Sequence, residues 1–465
     1  MKRLMTHALV VLVAVAAPVA VQAYPMDGFD YTDCRRLLYT WRKMHGEVAG
    51  PPIPSGAQML MEDVKPRLIV DNPPPLVMDA DPEMSKAIRD AIGPESSEYA
   101  VSLLDLSDPE NPVYAEINGD TRRNVGSVGK MVVGLAWFQA LADVYPDDIE
   151  ARERLMRDTV LTADEFVISD HHKVVLFDPD TNVREFRQIK VGDKGNLWDW
   201  MDWMLSASNN AAAAFMQKQV LLLTHFGKAY PPTPEQEAQY FEETTYASRG
   251  ESFMASMNEP LTRNGMNVDK LRQGSFFTRT GKQKVNGTSS YGNVRELVKY
   301  LYLLERGELV DEWSSREIKR LLYMTERRIR YASHPVLIPY GVYFKSGSLY
   351  SCKPEEGFKC GKYMGNKINY LASVAIVEGP VPSLDYHYLV AVSSNVLRKN
   401  SAVAHQTLAL RIHRMIEARH KARMAELEAM RKAAEAAGAG GSVAEVPDLG
   451  DPAAAEGRGD AEPSN

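Results

Sequence analysis

The chain has 465 residues, 45% of them apolar, which is core enough for one large domain or two smaller ones. Its formal net charge of −7 gives no electrostatic reason to expect a nucleic-acid partner. Past the first residues, no run reaches the ~18 apolar residues of a membrane span.

The chain begins with Met1-Lys2-Arg3, an apolar stretch Ala8–Val19 and the small-residue site Val21-Gln22-Ala23. This is the pattern of an export signal covering residues 1–23, with an uncleaved anchor as the alternative, and it points to a periplasmic or secreted protein. Residues 24–80 carry Pro51-Pro52 and Pro73-Pro74-Pro75, which predicts a packed, largely irregular extension with one short helix near Cys34–Met44. Thr162–Val191 alternates apolar and polar residues around Asp178-Pro179-Asp180, the pattern of a hairpin. The adjacent His171 and His172 read as a surface loop. Gln217–Met257 combines Tyr230-Pro231-Pro232 with Glu-rich helical sequence and is either a lid over a site or a surface decoration. Three cysteines suit an oxidising compartment. Cys352 and Cys360 flank a polar stretch and either staple a hairpin or remain free thiols. Spacing and sparse cysteine argue against a zinc site, so no metal is expected. Leu408, Ile412, Met415, Ile416, Met424 and Leu427 recur at helical spacing, so the closing helix is predicted to run to about residue 437, with residues 418–437 projecting. That projection is solvated by default, with docking of a partner or self-association as the alternative. Residues 438–465 are acidic and Ala/Gly/Pro-rich without aromatics, a composition predicted to be disordered.

Three short motifs carry chemistry. Ser127 and Lys130 are three residues apart at the start of the apolar stretch Met131–Leu141. On a helix such positions share a face, so the Lys130 amine can reach the Ser127 hydroxyl. A serine hydroxyl is a weak nucleophile at neutral pH, and a desolvated amine can lose its proton and serve as its base. Free N–H groups at the helix start favour an oxyanion. Ser208-Asn209-Asn210 follows a Trp/Met-rich helix, and Lys345-Ser346-Gly347-Ser348 lies in a strand-like run. A second cation near Lys130 lowers its pKa, and a hydroxyl between two lysines can relay protons.

In this order the motifs resemble those of the penicillin-recognising serine hydrolases, and most closely the class A β-lactamase branch. The likeness extends over residues 81–417. Asp81–Ile92 resembles the family's first helix, and Glu98–Leu106 with Pro112–Ile117 its first hairpin. Val191–Asn210 resembles the helix that delivers the S-x-N loop, and Thr288–Glu305 the second-half helix. Ile368–Glu378 and Tyr386–Ser393 resemble the last two strands. The fold this implies is α/β (α+β): an antiparallel five-stranded sheet flanked by helices, with a mostly helical subdomain from Met131 to about Gly287.

The resemblance implies that Ser127 is acylated, that Lys130 is its base and that Ser208 passes a proton to the leaving nitrogen. It implies that Asn210 binds the substrate's amide side chain, that Lys345 supplies positive potential and that Ser346 binds its carboxylate. The amides of Ser127 and Ser348, beside Gly347, would hold the oxyanion. No cofactor is implied, and the expected partner is a small-molecule β-lactam or a peptidoglycan peptide. A D-Ala-D-Ala carboxypeptidase and a non-catalytic cell-wall-binding module are the alternatives. The chain departs from the family at Leu271–Gly287, where class A enzymes carry a deacylating glutamate and this segment has no acid. Only Arg272, Arg279, Lys282 and Lys284 are charged there, and a guanidinium cannot replace a carboxylate base.

Overall fold

The computed structural model describes residues 28–52, 67–71, 73–323, 328–381, 383 and 385–436. The expected leader and acidic tail lie outside them. Tyr99–Asp105 (β1) is buried along its whole length because both its faces are covered. Ala100 and Leu104 point into one core, while Val101 and Leu103 point into a second core with Ile88, Ile412 and Ile416. This is the period-2 alternation of a strand buried between two layers. Val113–Ile117 (β2), Gly341–Ser351 (β3), Ile368–Gly379 (β4) and Tyr386–Ser394 (β5) complete an antiparallel sheet in the order β2-β1-β5-β4-β3. β3 is an edge strand, with Ser346 opposite Ser373 and Ser348 opposite Leu371. The mixed α/β architecture expected from the sequence is therefore present.

One face of the sheet is covered by the helices Pro82–Ile92 and Ser401–Ala436. Asp81 caps the first by accepting from Met84 N at 2.7 Å. The second is anchored to the sheet by Arg419, which donates to Asp105 at 2.6 Å, and by Arg423, which donates to Asp108 at 2.9 Å. Beyond them Met424, Leu427 and Met430 are exposed.

The other face carries the helical layer. The helix Lys130–Val144 is buried all round from Lys130 to Leu141, which places it between the sheet and the outer helices. The helices Leu197–Leu205, Asn210–Phe226 and Tyr246–Arg263 pack against it. The extension ties into this layer. Its helix, Arg35–Met44, docks through Arg36, which forks onto Asp202 at 2.6 and 2.7 Å. Further along, Arg67 O accepts from Lys319 at 2.6 Å and Pro74 O from Tyr302 Oη at 2.5 Å.

Two expectations need adjustment. The second-half helix begins at Val294 rather than Thr288, because Asn293 caps it by accepting from Glu296 N at 2.8 Å. The preceding Tyr291-Gly292 pairs instead with Leu271-Arg272 as a two-residue ladder. Within Thr162–Val191 the hairpin is confined to Val174–Asp178 and Val183–Arg187, which leaves Asp170-His171-His172 as the loop that leads into it.

Candidate active site

The three motifs meet in one cleft of about 610 Å³ between the helical layer and the exposed edge of the sheet. Ser127 lies in a single 3-10 turn, Gly126–Gly129, that runs directly into the helix starting at Lys130. The serine is thus one turn ahead of the helix rather than on it, and its hydroxyl still meets the lysine. Lys130 Nζ donates to Ser127 Oγ at 2.8 Å, to Ser208 O at 2.7 Å and to Asn210 Oδ1 at 2.7 Å. Ser208 is able to aim its carbonyl this way because its backbone takes φ of 60°, a conformation unusual for a residue with a Cβ. Asn209, fully buried, holds the turn from both sides, capping Ala212 N at 2.7 Å and donating to His172 O at 3.1 Å.

Lys130 is fully buried. Burial pulls its pKa from 10.5 to about 7; the charge of Arg330 adds to the drop and that of Asp170 opposes it. At neutral pH much of this amine is therefore unprotonated and able to accept the Ser127 proton. From the facing strand, Lys345 Nζ donates to Ser208 Oγ at 2.7 Å. Its own pKa falls well below the usual lysine range through burial and the charges of Lys130 and Arg330.

The sheet edge and the serine turn are in near-contact because both carry glycine there. A Cβ on Gly347 would lie 2.0 Å from Val125 O and 2.4 Å from Ser127 N, and one on Gly126 would lie 2.8 Å from Ser348 N. The backbone amides of Ser127 and Ser348 are thereby brought side by side, the arrangement that an oxyanion needs. Next to them, Arg330 Nη1 donates to Ser346 Oγ at 2.7 Å and Nη2 to Ser348 Oγ at 3.1 Å. The Arg330 guanidinium also stacks over the Tyr363 ring, 4.7 Å from its centroid. A guanidinium fork with two hydroxyls is a carboxylate receptor.

Arg330 in the cleft and Asp170 just behind its wall belong to none of the three motifs. Arg330 carried no motif, only its place fifteen residues ahead of Lys345. Asp170 has its side chain almost completely buried. Its carboxylate accepts from the backbone N–H groups of His171, His172, Asn210 and Ala211 at 2.8–3.2 Å and from His172 Nδ1 at 2.6 Å. Burial opposes its ionisation, but the hydrogen bond from His172 and the backbone donors outweigh this and hold its pKa well below the carboxylate range. His171 and His172 both line the cleft, so the reading of this pair as an ordinary surface loop is incomplete. Their rings stack at 4.5 Å.

Among the described residues, two groups of side chains have the composition of a metal site. They are Asp170-His171-His172 and the buried Glu305-Glu378-His387. In the first, the carboxylate is already saturated by N–H donors. In the second, the Lys319 ammonium occupies the centre, bonded to Glu305 at 2.9 Å and Glu378 at 2.7 Å.

The acid-free segment Leu271–Gly287 lies against the back of the serine turn. Gln273 Oε1 is 2.1 Å from where a Cβ on Gly129 would stand, and Lys130 Nζ is 4.8 Å from the Phe277 ring centroid. Gln217 fixes this loop by accepting from Phe277 N at 3.1 Å and donating to Ser275 O at 3.2 Å. An aromatic face therefore lies over the lysine from this segment, and among the described residues that line the cleft none is Asp or Glu. The lid alternative for Gln217–Met257 is not realised, since none of its residues lines the cleft. Its helices Pro234–Glu243 and Tyr246–Arg263 are held elsewhere, for example by the buried Lys218, which pairs with Asp164 and Glu237 at 2.6 Å each. At the outer end of β3 a disulfide joins Cys352 and Cys360, with a Cα separation of 6.1 Å, and Cys34 is buried as a free thiol.

The chain matches no protein-family model and no curated protein sequence. Among solved structures it is similar to a β-lactamase from Sphaerobacter thermophilus at 12% identity and a TM-score of 0.47, over 71% of this chain and 97% of that one. A structure of PBP-A is similar at 12% identity and a TM-score of 0.47, over 74% of this chain and 98% of that one. A β-lactamase from Chitinophaga pinensis is similar at 13% identity and a TM-score of 0.46, over 72% and 99%. At these identities the likeness is one of chain path, and the chemistry of the cleft follows from its own distances.

Proposed function

We propose that the protein is an exported serine hydrolase, acylated at Ser127 by a β-lactam or a peptidoglycan-type D-amino-acid amide. The observation that carries this reading is the buried Lys130 amine, 2.8 Å from the Ser127 hydroxyl and with its pKa near neutrality. Ser127 Oγ attacks the amide carbonyl as Lys130 takes its proton. The amides of Ser127 and Ser348 receive the developing oxyanion. Ser208, held by Lys345, hands a proton to the nitrogen as the C–N bond breaks and takes one back from solvent, while Lys130 stays protonated. Arg330 and Ser346 anchor the substrate's carboxylate, and Asn210 the amide of its acyl side. The leader pattern and the Cys352–Cys360 bridge support an extracytoplasmic setting.

Incubating the protein with a fluorescent penicillin tests this. A covalent adduct that maps to Ser127 and is lost in Ser127→Ala is the expected result. An unlabelled parent protein, or equal labelling of Ser127→Ala, overturns it.

A further inference from the structure

The acylation reading leaves one step without a residue: Phe277 lies over Lys130, and among the described residues that line the cleft none supplies a carboxylate to activate water at the Ser127 acyl ester. We propose that His172, oriented by Asp170, is the base that delivers water to this ester. The inference rests on the function proposed above.

Three observations converge on it. The Asp170 carboxylate accepts from His172 Nδ1 at 2.6 Å, which places the proton on that nitrogen and leaves the lone pair on Nε2. A buried carboxylate that fixes the tautomer and angle of an imidazole is the arrangement that makes histidine a directed base. His172 lines the same cleft as Ser127, Ser208 and Lys345, on the wall formed by the S-x-N turn. Asp170 is also tied to the nucleophile through a continuous chain. Its Oδ2 accepts from Asn210 N at 2.8 Å, Asn210 Oδ1 accepts from Lys130 Nζ at 2.7 Å, and Lys130 Nζ bonds Ser127 Oγ at 2.8 Å.

In the step itself, His172 Nε2 takes a proton from water as the water oxygen bonds to the acyl carbon. Collapse of the tetrahedral adduct breaks the bond to Ser127 Oγ, which takes a proton from the Lys130 ammonium. The His172 proton is then released to solvent, which leaves Lys130 as the neutral amine that began the cycle. The net change is one water added across the ester. His172 is the catalytic residue here and Asp170 a positioning residue.

The test is a pulse of fluorescent penicillin followed by a chase with unlabelled drug, with adduct formation and decay on Ser127 followed by intact mass in the parent, His172→Ala, His172→Gln and Asp170→Asn. The expected result is a decay-to-formation ratio at least tenfold lower in both His172 variants, with added imidazole restoring decay in His172→Ala alone. In Asp170→Asn decay slows and imidazole gives no rescue, because the ring is still present. A decay-to-formation ratio in the His172 variants within twofold of the parent overturns this inference and leaves the acylation reading standing. A parent adduct that persists through the chase also overturns it. A parent that never labels overturns the acylation reading, and this inference with it.

Discussion

Raising the pH from 5 to 9 across the acylation reaction tests the role given to Lys130 directly. Its pKa lies near 7 where an ordinary lysine has 10.5, so the neutral, proton-accepting fraction climbs from about one in a hundred at pH 5 to about one half at pH 7. The rate of adduct formation on Ser127 should therefore rise roughly fiftyfold over those two pH values and only about twofold more above them. The same drop from 10.5 to about 7 is a stability statement, on the order of 5 kcal/mol at about 1.4 kcal/mol for each tenfold change. The folded state binds the Lys130 proton less tightly than the unfolded chain. Below pH 7 both states are protonated and the full penalty for the buried charge is present; between pH 7 and 10.5 it is relieved, and stability rises with pH. Urea unfolding of the parent against Lys130→Met isolates this slope, since the variant lacks it. Labelling rates by stopped-flow fluorescence supply the kinetic half. A rate that keeps rising tenfold per pH unit beyond pH 8.5 would mean that the amine has an ordinary lysine pKa, and the burial argument would be refuted.

Other substitutions probe the remaining walls of the cleft. Gly347→Ala drives a Cβ into Val125 O and Ser127 N, both backbone atoms that cannot swing aside, so labelling should drop at least a hundredfold and thermal unfolding should show a loss of about 1–3 kcal/mol. Arg330→Gln removes a charge-assisted fork worth about 1.5–3 kcal/mol, which predicts a 10- to 150-fold weaker half-saturating concentration for a penicillin with a free carboxylate and a much smaller change for its methyl ester. Lys319→Met strands Glu305 and Glu378 in the interior, and urea titration should report about 3–5 kcal/mol less stability with labelling of the surviving folded fraction intact.

Local sequence specified more of this molecule than its low identity to solved structures suggests. The alternation in Tyr99–Asp105, the capping Asp81 ahead of Pro82 and the Pro-rich extension around Arg35–Met44 are signals written within a few residues, and short-range sterics and hydrogen bonding turn them into structure. The reactive motifs were legible for the same reason: Ser127 and Lys130 are three apart, and the turn geometry alone brings them together. Asp170, Arg330 and Phe277 have no local pattern of that kind. Each acquires its role from a partner 16 to 147 residues away, as Arg330 does from Ser346 and Phe277 from Lys130. Their side chains matter only because the sheet edge, the S-x-N turn and the Leu271–Gly287 loop close on one volume, and the burial that brings the Lys130 pKa near neutrality exists only once they have done so.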